Sequence, residues 1–495
     1  MDARKQAWTA VGCQERAVMM RASMHNTLKH AREMASVSTD AKGAGGGGIG
    51  DEWVALISCV AGLQEYVATM EADGQPNVPI TIRPSTGQLV AEVFPRGPLK
   101  TLFPGSRGEV WLEPGKPATQ GKVYREKKEG NASKGGLALV LGAGNQLCVV
   151  FLDLLHKLIA DDEVVIVKMS PVNDYVGPIL EKVFTPFVEK GFLAFVYGGI
   201  EESRHLTTHP LVTSIHLTGS KATYDAILAT PGVQGKPVTA ELGNVTPYII
   251  VPGPWSEADL EYHAKSVAFG LIQNCGHNCI TLELVVTAED WPLRPAFLAA
   301  LRKALDNTSE KVPYYPGSEA KYTRFREQFA HKQEVCIPGT GDDASAFLRA
   351  ATSFVNERCF GSLSVGVWIH PETQKQHQEA FTKAIDDLQY GSICVNVPCH
   401  ILFSFPSMPW GALPGNGQKA RESGVGHVHN TLLLDHPVKS VLSMPWIVVP
   451  KPIWHADNYA LEYISDHMMR CIASFGDTPR TMWYMTRVAA AAMRA

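Results

Sequence analysis

A chain of 495 residues exceeds one ordinary domain, so two or three domains with ample core are expected. Hydrophobic residues make up 45% and charged residues 19%, the balance of a soluble globular protein, and a net charge of −4 argues against nucleic acid or an anionic membrane as the main partner. Ten cysteines are scattered without paired spacing, which fits free thiols in a reducing compartment, and no short motif has metal-ligand spacing.

Residues 1 to about 40 read as helical, with Ala17, Val18, Met20, Met24 and Leu28 as an apolar face. No long apolar segment follows the N-terminal charges, so the expectation is a cytoplasmic protein without a secretory signal. The Arg-containing stretch Met1 to Ser36 keeps an organelle-import reading open, and Asp2 and Glu15 count against it. No apolar run approaches the roughly 18 residues needed to span a bilayer. Gly43 to Gly50 reads as a flexible surface insertion and Asp51 to Ala72 as a second helix. From Gly74 to Gly135, prolines and glycines are dense, and short β runs such as Leu89 to Phe94 alternate with turns.

The pattern changes at Gly136. Strands are predicted at 137–141, 164–168, 192–197, 212–217 and 238–242, with helices between them and Gly191 where a C-cap glycine belongs. Five strands alternating with helices imply a parallel, doubly wound sheet, whose ligands sit beyond the strand C-termini. Those ends carry Gly142-Ala-Gly-Asn-Gln146, Lys168-Met-Ser-Pro171, Thr218-Gly-Ser220 and Glu241-Leu-Gly-Asn244. Amides opening the helix from Lys221 to Thr230 can hold a pyrophosphate.

Trp255-Ser-Glu-Ala-Asp-Leu opens a further helix, with Ser256 as N-cap and Asp259 in the first turn. Val267, Ala268, Leu271 and Ile272 keep its period until Asn274 and Gly276 break it. Leu282 to Thr287 is a buried strand, so Cys279 sits in a short helix-to-strand connection. A thiol held there serves as a nucleophile if its pKa is lowered or its proton removed. Beyond it come a helix over 294–307, a Tyr-Tyr-Pro loop, and elements at 363–369, 374–388 and 392–396 that indicate a second, smaller α/β domain. Glycine-rich loops follow at Pro409 to Gly417 and Ser423 to Gly426, then a short strand at Thr431 to Leu434. The tail from Met444 is aromatic and then helical.

With Asn145, Lys168, Thr218-Gly219-Ser220, Glu241-Leu-Gly and Asn274-Cys-Gly-His-Asn-Cys279 in this order, the chain resembles the aldehyde dehydrogenase superfamily, in a divergent branch. Glu357-Arg-Cys-Phe-Gly361, Leu388 to Asn396 and Trp410-Gly are secondary matches. The resemblance implies an α/β fold with a Rossmann-type cofactor domain, an α/β catalytic domain and a small β oligomerisation flap. It divides the chain into 1–117 and 137–243 for the cofactor, 244–420 for catalysis, 118–136 and 421–443 for the flap, and 444–495 as a C-terminal extension. Cys279 is similar to the family's nucleophile, Glu241 to its general base and Asn145 to its oxyanion donor. Lys168, Ser170, Gly219, Ser220, Leu242, Gly243, Glu357 and Phe360 are similar to its contacts for NAD or NADP. An aldehyde substrate and a homodimer or homotetramer are implied, with no metal, nucleic acid or membrane span.

The chain departs from the family at four places. Asn244 replaces a glycine and adds bulk near the nicotinamide; His277 replaces a glutamine. Pro171 replaces an acidic residue, which leaves NADP open beside NAD. The glutamate for the nicotinamide ribose falls at Glu357 or at Arg358. The resemblance therefore implies oxidation of an aldehyde to a carboxylic acid, with CoA-acylating oxidation and a catalytically weak nucleotide-binding protein as alternatives.

Overall fold

The computed structural model describes residues 1–43, 48–131, 135–308, 311–329, 335–415 and 422–495. Residues 44–47 of the predicted glycine-rich insertion lie outside the described residues, and so does the end of the loop after Pro409.

The alternating segment folds as predicted. Strands Gly136–Leu141, Glu163–Lys168, Leu193–Val196, Ser214–Thr218 and Val238–Glu241 are parallel, in the spatial order 193–196, 163–168, 136–141, 214–218, 238–241, and the short strand Gly424–Val425 adds antiparallel to the last. Burial on both faces explains the runs of Val, Leu and Ile. The order reverses between 136–141 and 214–218, so Asn145 and Gly219 emerge beside the crevice where such sheets bind ligands.

The second sheet has nine strands, so the expectation of a smaller second domain is corrected. Its order is 80–82, 89–94, 107–112, 437–443, 392–395, 364–368, 246–250, 282–288, 335–337. The six from 437–443 to 335–337 run parallel, and the first three extend them antiparallel. This corrects the expected boundaries. Residues 80–112 belong to the catalytic core rather than to a cofactor domain over 1–117, packing Val90, Val110 and Trp111 against it. The expected flap at 118–136 holds a short helix, Lys122–Lys128, and a single bridge from Gln120 to Leu434. Thr431 to Leu434 is a turn, and the strand of that region is Pro437–Ser443, inside the sheet.

The N-terminal helices Cys13–Ala41 and Gly48–Glu71 pack together on the cofactor-type half. Ala17, Met20 and Met24 are buried, whereas Val18, predicted on the same face, is 62% exposed. Arg16 fastens this layer: its guanidinium meets Asp162 at 2.5 Å, donates to the Tyr124 hydroxyl at 3.0 Å and stacks over Trp8. One expectation fails on composition: Gly50–Glu71 is long and apolar enough to cross a bilayer. Here it is a core helix, two-thirds of its most apolar window being buried inside the molecule.

The tail is not detached. Trp446 donates to Asp259 at 2.7 Å, and Trp454 and His455 both bond the Ser266 hydroxyl, so residues 446–455 strap the helix Glu257–Ile272 that leads to Cys279. Helices Leu461–Ala473 and Thr478–Ala492 then pair with each other, and the first packs on Gly48–Glu71.

Candidate active site

Ser256 caps the helix Glu257–Ile272 as predicted, in a reciprocal bond with Asp259. At its end the backbone turns left-handed at Asn274 (φ 52°), Cys275 (φ 56°) and Gly276 (φ 71°). Asparagine and glycine accept this conformation; a cysteine there costs on the order of 1–3 kcal/mol and persists only if its surroundings hold it. They do. The Asn274 side chain donates to the carbonyls of Asn145 and His277, both at 3.1 Å, while its own carbonyl accepts from Lys42 Nζ at 3.0 Å and from the Tyr314 hydroxyl at 3.2 Å. Lys42 is in turn paired with Glu52 at 2.5 Å, both nearly fully buried. Neither Lys42 nor Glu52 carried any sequence signal beyond membership of helices far upstream.

Cys279 and Asn145 line one cavity of about 60 Å³, together with Gln146, Cys148, Phe269, Asn278, His400 and Phe403 among others. Asn145 donates one side-chain N–H to the His277 carbonyl at 2.9 Å, which fixes the amide. Burial pushes the Cys279 thiol up to about 12, and the nearby Glu241 carboxylate pushes the same way. Glu241 is 4% exposed; burial first, and then the Asp153 carboxylate, hold its carboxyl well above the usual range. Its Oε2 has no partner among the described residues. Burial raises both groups, and the charged form of each opposes the charging of the other.

Glycine loops predicted only as loops wall Glu241. Gly424 (φ 122°) approaches so closely that a Cβ would stand 1.9 Å from the Ala240 carbonyl, and one on Gly411 would stand 3.0 Å from Glu241 Oε1. Only glycine fits the first position.

Asp153 itself, buried on the helix after the first parallel strand, accepts from the Thr218 hydroxyl at 2.8 Å and sits 3.5 Å from His216. His216 holds its carboxylate below the ordinary range despite burial.

The remaining sequence candidates divide. Lys168 ends its strand with its side chain largely buried; desolvation lowers its pKa, opposed by Glu202 and Asp174. Ser170 accepts from the Val172 N–H at 3.3 Å. Gly219 and Ser220 are exposed at the N-terminus of Lys221–Leu228, where Ser220 caps the helix and the Gly219 N–H donates to the Glu241 carbonyl. Leu242 is buried, bonded through its N–H to Ser423, and Gly243 faces open space. Glu357 and Arg358 are both exposed at the end of helix Ala344–Arg358, and Glu357 accepts from Ser353. Phe360 is 42% exposed.

Two expected departures change character. The Asn244 amide is turned towards the nine-stranded sheet, donating to Thr246 at 2.9 Å and to the Ser364 carbonyl at 3.2 Å. The His277 ring lies beside Tyr314 and Tyr315, 3.3 Å from the Ser318 hydroxyl, and burial lowers its pKa. It engages the site through its carbonyl, not its imidazole.

A model of the aldehyde dehydrogenase family matches residues 147–317, the stretch carrying Lys168, Glu241 and Cys279. The structure of PnpE, solved in complex with nicotinamide adenine dinucleotide, superimposes with a TM-score of 0.62 over 89% of this chain and 87% of that one, at 13% identity. The overall fold is that of the aldehyde dehydrogenases, and residues 147–317 carry the family's sequence pattern. Among sequence relatives, aldehyde dehydrogenase family 3 member A2 of Macaca fascicularis is 21% identical over 323 residues, which is 58% of this chain and 63% of the relative. The dimeric NADP-preferring aldehyde dehydrogenase of Rattus norvegicus is 22% identical, covering 58% and 68%. The chain thus spans less than two thirds of the macaque relative's length. Among the described residues no group of three or more His, Cys, Asp or Glu is arranged to hold a metal ion.

Proposed function

We propose that this aldehyde dehydrogenase-type chain oxidises an aldehyde to a carboxylic acid with NAD or NADP. The observation that carries the reading is the convergence of Asn145 and Cys279 on one cavity with Glu241 close enough to raise the thiol.

Cys279 gives its proton to solvent and, as the thiolate, attacks the aldehyde carbon from the cavity wall. The developing oxyanion is met by the second side-chain N–H of Asn145, held in place because its first is bonded to His277. Lys168, Gly219, Ser220 and the open space at Gly243 supply a cation, a helix N-terminus and clearance for a dinucleotide along one crevice. A nicotinamide dinucleotide held by these residues would supply the hydride acceptor that the oxidation needs. Glu241 then takes a proton from the water that releases the acid, a task suited to a carboxyl whose pKa is raised.

A second reading is supported by the same raised thiol: a nucleotide-binding protein that turns over weakly, its cysteine unactivated at rest. Release of the acyl group by CoA instead of water is the third arm of the test. Purified protein is given a panel of aldehydes with NAD, NADP and then CoA, and nicotinamide reduction is followed with Cys279→Ser as control. Reduction without CoA is expected. Dependence on CoA, or cofactor binding without reduction of any aldehyde, would overturn the reading. The dimeric state named for the rat relative is carried to this chain as part of the proposal, with sedimentation as its measurement.

A further inference from the structure

The cofactor-type sheet carries a block of polar side chains beside Glu241. Strands Ser214–Thr218 and Val238–Glu241 pair His216 with Thr239 and Thr218 with Glu241. Residues two apart along a strand share a face, and partners on neighbouring strands stand about 4.8 Å apart, so these four side chains lie on one face. Asp153 joins the block from helix Leu147–Leu155: the Thr218 hydroxyl donates to it at 2.8 Å, and His216 Nε2 lies 3.5 Å from the same oxygen. The other ring nitrogen, Nδ1, lies 2.9 Å from the Thr239 hydroxyl. Asp153, His216 and Glu241 are all nearly fully buried.

This placement bears on how Glu241 works as a base. Burial first, and then Asp153, hold its carboxyl well above the ordinary range, so less of it is ionised at a given pH. A base must be ionised before it takes a proton from water. Two arrangements of the block hold the same number of protons and the same net charge: a carboxylic acid at Glu241 with a neutral imidazole, or a carboxylate with an imidazolium. Passing one proton between them adds no net charge to the interior. Losing it to solvent would leave Glu241 and Asp153 as two buried carboxylates without the imidazolium. Other groups lie within electrostatic reach of the block. Burial lowers His156 to about 3 and His429 to about 4, and raises Cys148 and Cys279 to about 12 each. Lys157 is paired with Asp161 at 2.6 Å, and the His429 ring has no hydrogen-bond partner among the described residues. His216 is the imidazole bonded into the block.

We propose that Glu241 and His216 exchange one proton, with the Asp153 carboxylate steadying the imidazolium. The Glu241 O–H bond breaks and an N–H bond forms on His216, with no change of oxidation state. The ionised Glu241 then takes a proton from the water that releases the acid, and the proton left on His216 passes to solvent between turnovers. His216 and Asp153 touch no substrate; they are positioning residues that act through Glu241. The proposal rests on the aldehyde-oxidising reading above and deepens its hydrolytic step.

The test has a turnover arm and a titration arm. The first uses p-nitrophenyl acetate, whose hydrolysis needs a thiol and a water-activating base but no dinucleotide. The initial burst of nitrophenol reads attack by Cys279, and the steady rate reads release of the acetyl group. His216→Gln is expected to keep the burst and slow the steady rate about a hundredfold at neutral pH, the loss shrinking as pH rises and hydroxide removes the Glu241 proton instead. Asp153→Asn is expected to slow the steady rate about tenfold, because the imidazolium loses its neighbour. A carboxylate that only tunes Glu241 predicts a faster rate in that variant. An unchanged rate in His216→Gln, or a raised one in Asp153→Asn, overturns the proposal, and either variant decides it if the other does not fold. The second arm follows the His216 ring by nitrogen NMR and needs no turnover. Glu241→Gln is expected to lower the midpoint of its titration by about one pH unit, since a carboxylate across the block favours the imidazolium. An unmoved midpoint overturns the proposal whether or not the ester is hydrolysed. A lowered midpoint in protein that releases no nitrophenol upholds the exchange and overturns only the functional reading.

Discussion

The crevice along the parallel strand ends and the chamber around Cys279 lie next to each other and are built on opposite principles. The first is open and charged: Gly219 and Ser220 are exposed, and Lys168 has two carboxylates, Glu202 and Asp174, within electrostatic reach. The second is lined without Asp, Glu, Lys or Arg among the described residues, and burial pushes the thiol, the Glu241 carboxyl and the His400 imidazole towards their uncharged forms. An open crevice lets an anionic dinucleotide exchange with solvent, whereas a dry chamber magnifies any charge that forms in it. Burial therefore favours the uncharged form of each reactive group there.

The largest effect that would break this contrast is at the sulfur. Cys279→Ser is expected to lower aldehyde oxidation at least ~1,000-fold with the unfolding curve unchanged. Asn145→Ala should cost ~100–1,000-fold in kcat, read by steady-state kinetics, because one preorganised donor to the oxyanion is lost. Lys42→Met strands Glu52 and frees Asn274; removing one partner of a buried pair costs ~3–5 kcal/mol, to be read from urea unfolding.

The state of the thiol sharpens the comparison further. With the Cys279 pKa near 12, the thiolate fraction gains about tenfold per pH unit, so alkylation of Cys279, followed by peptide mapping, should still be climbing at pH 9. A plateau near neutrality would contradict a discharged chamber. Glu241→Gln removes the second cause of the shift, so the thiol pKa falls and alkylation at pH 9 quickens; the gain is a few-fold, since burial is the first cause. The smallest effect belongs to the crevice: Glu202→Gln should raise kcat/KM with NADP relative to NAD by a few-fold, because a carboxylate near Lys168 repels an added phosphate.

Local rules carried the sequence a long way. Short apolar-rich segments alternating with helices marked all five strands of the cofactor-type sheet, and the Ser256–Asp259 spacing marked the cap of the helix leading to Cys279, because each depends on residues adjacent in the chain. The order of Asn145, Lys168, Glu241 and Cys279 pointed to the family whose model matches residues 147–317. Composition alone misled at Gly50–Glu71, since a core helix and a membrane helix share the same apolar content.

What the chain could not announce is what arrives from a distance. Strands 80–112 joining the catalytic sheet through 437–443, the tail strapping the helix behind Cys279, and Lys42 and Glu52 pinning Asn274 all join residues hundreds of positions apart. The sign of the thiol's shift belongs to the same class. Sequence places a cysteine in a loop, but whether it is activated or discharged depends on the dielectric and the charges packed around it, and those exist only once the chain has folded.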